Sequence, residues 1–326
     1  MSAADSVFVE AGARLHFGVL DLRGGLGRRF GGLGAAIPSP SLLLETARTR
    51  DGVSAEGPDS GRAAEFARRF LAFHGLGGGA RLVVHQRIPA HSGLGSGTQL
   101  GLSVARALAE LYGLPAEPGD LARAVSRGQR SAIGTWTFAL GGFIVEGGRR
   151  PGKDGIAPLI GRFEVPAHWR CVVVVPPGNP GLSGEAESAA FERLPPPSER
   201  EVERVSHLVL MQLLPALVEG DLGSFGEALS AVQRITGAWF APQQGGVFAP
   251  GEGEALIRQM AGWGAAGVGQ SSWGPAVYGL VDGEDAGIAL ADRCRDFLAG
   301  KGLVFEAGFA RRGARLGRGG PPDRND

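Results

Sequence analysis

The chain has 326 residues, 43% of them hydrophobic, enough to bury a substantial core in one large or two medium domains. Its 33 basic and 33 acidic side chains cancel, so nothing global draws it to nucleic acid or an anionic membrane, and affinity for an anion must be local. Two cysteines, Cys171 and Cys294, are too few for a disulfide framework and read as structural, and no CxxC or HExxH offers a zinc site.

From the N-terminus, Val7-Phe8-Val9 and Ala13 to Leu20 alternate as strands do, a glycine-rich stretch covers Gly24 to Gly34, and Leu42-Leu43-Leu44 is a further strand. Ala64, Phe66, Ala67, Phe70, Leu71 and Phe73 recur at helical spacing within Gly61 to His74, and Arg81 to His85 is a short strand. Next comes Ser92-Gly93-Leu94-Gly95-Ser96-Gly97-Thr98, then a helix with Leu100, Leu102, Val104, Ala105, Leu108 and Leu111, capped near Gly113. A helix over Asp120 to Arg130 and a strand over Phe138 to Val145, through Gly141-Gly142, follow. The Pro/Gly-bearing break Pro151 to Pro158 divides a first domain, residues 1–155, from a second, residues 156–310. In the second, a Val-rich strand occupies 171–175, and a helix from about Glu199 to Val218 is kinked near Pro215. Further helices lie at 221–233, 252–262 and 285–300, and strands at 277–281 and 304–306. Residues 311–326, rich in Arg, Gly and Pro, read as a disordered tail. Strands and helices mix in both halves, which favours two α+β layers over a doubly wound sheet. Met1 to Asp5 lacks the features of a signal peptide and no apolar run nears the roughly 20 residues that cross a bilayer, so a cytoplasmic protein is expected.

Strand, glycine-rich loop and helix in succession aim free backbone N–H groups and a helix dipole at an anion. The glycines of Ser92–Thr98 permit close backbone approach, while the hydroxyls of Ser96 and Thr98 can reach phosphate oxygens or a Mg²⁺ ion. The loop is neither a Walker sequence, since no Gly-Lys-Ser/Thr follows, nor a GxGxxG fingerprint; a tight turn with a capped helix is the alternative. Arg14, Arg28, Arg127 and Arg130 are natural anion forks, with an ordinary ion pair as the alternative for each. Gln270, Ser271, Ser272 and Trp273 set polar groups beside a flat aromatic surface, which suits an aromatic substrate, and Trp136 is a second candidate for that wall.

The segment Pro89-x-x-Ser92-Gly93-Leu94-Gly95-Ser96 resembles the phosphate-binding motif of the GHMP kinase superfamily. Arg14-Leu15-His16-Phe17-Gly18 and Gly267 to Pro275 stand where that superfamily has its early strand motif and its C-terminal glycine-rich motif. The resemblance covers about residues 5–310. It implies an α+β, two-domain GHMP kinase-like fold, with an N-terminal ribosomal-protein-S5-like α/β domain and a C-terminal α+β sandwich domain. Many of these kinases carry Ser-Gly-x-Asp and, six residues on, Gly-Gly, the aspartate assisting the acceptor hydroxyl. Here the residues are Ser131-Ala132-Ile133-Gly134 and Gly141-Gly142, so position 134 has no side chain to act as a base. An ATP-dependent small-molecule kinase is therefore the second reading.

Seven ordered motifs resemble the β-ribofuranosylaminobenzene 5'-phosphate synthase family instead: Arg14-Leu15-His16-Phe17-Gly18-x-Leu20-Asp21, Leu26-Gly27-Arg28, Gly31-Gly32-x-Gly34, Arg127-Gly128-x-Arg130-Ser131-x-Ile133-Gly134, Gly141 to Val145, Gly181-Leu182-Ser183-Gly184-Glu185 and Gly269 to Pro275. This resemblance implies condensation of phosphoribosyl pyrophosphate with 4-aminobenzoate, releasing pyrophosphate and CO₂, on the way to a methanopterin-type C1 carrier. The ring amine makes the carboxylate-bearing carbon the nucleophile, and loss of CO₂ restores aromaticity. No hydroxyl needs deprotonating, so Gly134 fits this chemistry. The expected roles are catalytic for Arg14, His16 and Asp21, and phosphate or pyrophosphate binding for Arg28, Ser92, Gly93, Leu94, Gly95, Ser96, Gly97, Thr98, Arg127 and Arg130. Gln270, Ser271, Ser272 and Trp273 would hold the aromatic ring, Ser96 would bind Mg²⁺, and Glu185 or Glu187 would make a second-domain contact. A homodimer with no nucleic-acid or membrane partner is expected.

Overall fold

The structure, a computed structural model, describes residues 6–178, 181–182 and 184–323. The first half opens with β1 (Ser6–Asp21), whose odd-numbered residues Val7, Val9, Ala11, Ala13, Leu15, Phe17 and Val19 are all buried, as one apolar face of a strand requires. It continues through β2 (Phe30–Thr49), β3 (Val53–Glu56), α1 (Ser60–Phe73), β4 (Gly79–Gln86), α2 (Ser96–Tyr112), α3 (Pro118–Ala124), α4 (Ile133–Leu140), β5 (Phe143–Glu146) and β6 (Leu159–Phe163). Gly113 closes α2 in the left-handed conformation at φ 67°, as the sequence predicts.

The second half comprises β7 (Trp169–Val175), α5 (Gly184–Arg193), α6 (Glu199–Leu208), a π-helical turn (Val209–Leu213), α7 (Leu214–Glu219), α8 (Leu222–Gln244), α9 (Glu252–Gly262), β8 (Gly267–Gln270), β9 (Val277–Asp282), α10 (Glu284–Phe297) and β10 (Leu303–Ala307). The kink expected near Pro215 takes the form of the π turn, which precedes a residue that has no N–H to give. A final strand, β11 (Arg315–Arg318), returns to the first half.

Seven strands form the first sheet, in the order β11-β1-β2-β4-β3, with β5 on β2 and β6 on β5; four form the second, in the order β10-β7-β9-β8. The second sheet buries both faces. Val172 and Val174 pack with Leu256, Met260 and Leu290, whereas Cys171 and Val173 join Tyr278, Leu280 and the core of the first half. Both thiols are buried and burial pushes their pKa values up, so Cys171 and Cys294 are packing residues. Helix α8 packs against both β1 and β8 and so ties the halves together. No described helix is long and apolar enough to cross a membrane.

The structure departs from the sequence expectations in four places. Helix α3 ends at Ala124 because Ser126 (φ 55°) and Gly128 (φ 75°) turn left-handed, so Arg127 to Ser131 form a loop. Phe138 lies in helix α4, and the strand begins only after Gly141 and Gly142. The run Ile133–Leu140 is apolar without strong periodicity, which leaves helix and strand hard to tell apart. Strand β6 belongs to the first sheet, so the chain leaves that sheet after Phe163 rather than at 155. The segment after 311, read as disordered, instead pairs antiparallel with β1 from Val7↔Arg318 to Glu10↔Arg315. That edge of β1 supplies backbone partners, and Glu10 and Glu110 supply carboxylates for Arg315 and Arg318.

Candidate active site

The Ser92–Thr98 loop is held from two directions. The Gly93 carbonyl accepts from the Arg14 guanidinium and from Ser271 Oγ (2.7 Å). The Leu94 carbonyl accepts from the Arg14 N–H (3.2 Å) and the Ser92 carbonyl from the Ala276 N–H (2.9 Å). Glycine is needed here: a Cβ on Gly93 would lie 2.3 Å from the Ser271 carbonyl oxygen, and one on Gly95 would lie 2.9 Å from Arg14 Cγ. The early strand motif, the loop and the C-terminal motif thus meet at one point. Helix α2 starts there with no acidic residue in its first turn, leaving its positive end open to an anion.

Cations gather at that turn. A Cβ on Gly97 would lie 3.2 Å from Arg127 Nη2 and 3.5 Å from Arg62 Nη1. Arg62 is paired with Asp59 (2.8 Å). Arg127 stacks 5.0 Å from the Phe66 ring, and its Nε is buried without a hydrogen-bond partner. Burial, and then repulsion from Arg62 and Arg69, lowers the Arg127 pKa, with Glu187 and Glu65 offsetting only part. Arg14 is also buried, which brings its pKa down to about 10. An anion would relieve both.

A cavity of about 200 Å³ opens beside these groups. One wall carries Arg14, His16, Thr98 and the Ser126–Ser131 loop. Burial, and then Arg14, push the His16 pKa down to about 3, so its imidazole is neutral. His16 Nε2 stands 3.3 Å from Ser131 Oγ, and the His16 N–H donates to Ser271 Oγ (3.0 Å). Arg130 donates to Ser188 Oγ (2.7 Å) and to the Glu187 carboxylate.

The opposite wall is aromatic. Trp273 meets Phe240 (centroids 4.8 Å apart) and Phe191 (5.4 Å) edge to face. Helix α8 contributes Gln233, Thr236, Gly237, Phe240 and Gln244, which share one face of the helix. The glutamines brace one another: Gln233 Oε1 accepts from the Gln270 N–H (2.8 Å), and Gln270 Nε2 donates to Gln244 Oε1 (3.2 Å) and the Ser272 carbonyl (3.0 Å).

Of the residues singled out from sequence, Arg14, His16, Thr98, Arg127, Arg130, Gln270, Ser272 and Trp273 line this cavity. Ser271 is fully buried behind it, bonded to the loop. Asp21 and Arg28 do not line it: Asp21 Oδ1 accepts from the Arg23 and Gly24 N–H groups (2.7 and 2.8 Å), and Arg28 donates to the Gly148 carbonyl (3.1 Å). Trp136 is likewise outside, donating to the Ala157 carbonyl (2.9 Å). Glu187 lines the cavity and Glu185 is exposed, whereas Ser183 lies outside the described residues. Sequence reasoning missed Phe191 and the α8 face, whose helical spacing was the available signal, and also the buried Glu146.

Residues 61–142 match the family of GHMP kinases N terminal domain, and residues 213–300 match GHMP kinases C terminal. The β-ribofuranosylphenol 5'-phosphate synthase of Methanothermobacter thermautotrophicus is 34% identical over 328 residues, covering 94% of this chain and 98% of that protein. The protein of the same name from Archaeoglobus fulgidus is 34% identical over 301 residues, covering 89% and 92%. Among solved structures, L. major mevalonate kinase in complex with R-mevalonate superposes with a TM-score of 0.70 at 16% identity, covering 92% of this chain and 95% of that one; it shares the fold alone. The chain therefore belongs to the β-ribofuranosylphenol 5'-phosphate synthase family, built on the two-domain α+β fold of the GHMP kinases.

Proposed function

We propose that this enzyme is a decarboxylating phosphoribosyltransferase of methanopterin-type carrier synthesis. It joins C1 of phosphoribosyl pyrophosphate to the carboxylate-bearing carbon of a para-substituted benzoate, releasing pyrophosphate and CO₂. The motif resemblance points to 4-aminobenzoate, while the relatives' name specifies a phenol product and hence a para-hydroxyl acceptor. Either substituent pushes electron density onto the same ring carbon.

One observation carries the reading. Position 134, where many of these kinases place an aspartate, carries no side chain and is tight: a Cβ on Gly134 would lie 2.9 Å from Thr98 Cγ2. Glycine offers no group to deprotonate or orient an alcohol, and a side chain in its place would press on Thr98, yet cations surround the turn next to it.

The pyrophosphate would lie at the first turn of α2 against Arg127 and the loop amides, where desolvated positive charge stabilises it as the C–O bond breaks. The ring would sit against Trp273, Phe240 and Phe191, which fix its carbon in line with C1. Arg130 can orient the benzoate carboxylate while still sharing its charge with Glu187, so the carboxylate is aligned without being held too firmly to leave as CO₂.

Mg²⁺ suits the donor set only as a substrate-borne ion. Among the described residues no three His, Cys, Asp or Glu side chains cluster as a cage. Ser96 Oγ and pyrophosphate oxygens would hold it, and when bound it would neutralise part of the pyrophosphate charge.

Carboxyl-labelled 4-aminobenzoate and 4-hydroxybenzoate, each incubated with phosphoribosyl pyrophosphate and Mg²⁺, should release labelled CO₂. No release from either, with ADP formed from ATP and a candidate alcohol, would establish the kinase reading instead. Ser96→Ala should weaken use of phosphoribosyl pyrophosphate; unchanged kinetics would remove the loop from the mechanism.

A further inference from the structure

Arg62 stands in the first turn of α1 and in none of the motifs read from the sequence, yet its guanidinium reaches the start of α2. The point where a Cβ on Gly97 would lie is 3.5 Å from Arg62 Nη1 and 3.2 Å from Arg127 Nη2. Two guanidinium groups therefore flank one small volume at the open, positive end of α2. Arg69, two turns further along α1, is already matched with Glu65.

The two flanking arginines are held differently. Arg127 lies against the Phe66 ring with an unpartnered Nε, whereas Arg62 has a carboxylate, its Nη2 standing 2.8 Å from Asp59 Oδ2. That contact is an ion pair without hydrogen-bond alignment, because the same buried Nη2 has no hydrogen-bond partner.

Asp59 is the N-cap of α1, where an aspartate ordinarily accepts from a backbone N–H two or three residues on. Here its backbone is left-handed at φ 61° and its side chain caps nothing in the helix. The carboxylate is turned to Arg62 instead. Asp59 is 15% exposed and Arg62 27%, so water screens the pair only in part, unlike an ion pair on an open helix face.

We propose that Asp59 is an internal competitor that holds Arg62 until a diphosphate takes it over, which makes Arg62 the residue that distinguishes a diphosphate from a single phosphate. A single phosphate satisfies Arg127 and leaves Arg62 with its carboxylate. A diphosphate carries more charge over two adjoining groups, so one group meets Arg127 while the other draws Arg62 from Asp59. Burial, and then repulsion from Arg62, lowers the Arg127 pKa, and the same ligand relieves both. That this diphosphate is the leaving group of phosphoribosyl pyrophosphate rests on the reaction proposed above; the exchange of partners does not.

The experiment is calorimetric titration of the whole protein with inorganic pyrophosphate and, separately, inorganic phosphate, each with and without Mg²⁺. Arg62→Met should weaken pyrophosphate about tenfold and leave phosphate unchanged, with Arg62→Lys restoring part of the loss. Asp59→Asn, which suits the left-handed backbone, should tighten pyrophosphate about fivefold, and the gain should vanish when Arg62→Met is added. A merely structural pair would behave otherwise, since both single variants would then weaken the two anions alike. Pyrophosphate affinity that is unchanged in Arg62→Met, or not improved in Asp59→Asn, overturns the proposal. If Arg62→Met does not fold, Arg62→Lys and Asp59→Asn carry the comparison. The titrations need no turnover, so failure of the wild type to release CO₂ would count against the reaction and not against Arg62.

Discussion

Arg14 reaches the Ser92–Thr98 loop from β1 and directs its guanidinium at the Gly93 carbonyl, whereas Arg127 reaches the same turn of α2 from the Ser126–Ser131 loop with a buried, unpartnered Nε. Both are desolvated, and burial lowers the pKa of both. The difference is what each does before a substrate arrives. Arg14 completes the framework of the loop, while Arg127 stores an unmet demand for an anion among other arginines. Two arginines next to one helix terminus can therefore serve different ends, and partner counting separates them where motif matching does not.

The sharpest way to break this comparison is Arg127→Met. We expect kcat/KM for phosphoribosyl pyrophosphate to fall by about a thousandfold, roughly 4 kcal/mol of transition-state stabilisation. The thermal midpoint should hold or rise, because an unpaired buried charge is relieved. Unchanged kinetics with a lowered midpoint would exchange the two roles. Arg14→Met should do the reverse in stability, costing about 1–3 kcal/mol as the Gly93 carbonyl loses a donor; chemical denaturation reads this directly.

His16 offers a pH-resolved effect, modest near neutrality and growing as the pH falls. Its pKa is about 3 in the folded protein against 6.5 for the free side chain, so below 6.5 the unfolded chain takes up a proton that the folded chain refuses. Stability should thus fall as pH drops from about 6.5 toward 3, by about 1.4 kcal/mol per pH unit from this group. His16→Gln should remove that slope, and Arg14→Met should raise the lower end of the window; a slope unaltered in His16→Gln would reassign it to another group. The smallest effect is expected from an arginine that has both a carboxylate and water. Arg318 is paired with Glu110 at 70% side-chain exposure, and Arg318→Ala should change stability by no more than about 0.5 kcal/mol.

The loop and α2 were legible because local chemistry dictates them: glycines at the approach, an apolar stripe along the helix, and Gly113 at its end. The loop bearing Arg127 was not, since Leu121, Ala122, Ala124 and Val125 continue a buried helical pattern and Ser126 breaks it without a glycine or proline. Gln233, Thr236 and Gln244 went unnoticed because the expected helix stopped at 233, whereas α8 runs on to Gln244 and turns all three toward the cavity. Asp21 and Arg28 belong to ordered motifs, yet their side chains are used by nearby backbone, a local demand that outranks the site. For β11 the missing information was the bare edge of β1, some three hundred residues away in the chain.

The close approach of Thr98 to Gly134 also ties two positions of the chain together. A side chain can enter position 134 only if the Thr98 methyl gives way, and Thr98 is itself a residue of the cavity wall. A side chain at 134 and the residue at 98 should therefore show coupled effects in a double-mutant cycle, each exchange being tolerated better when the other is made with it.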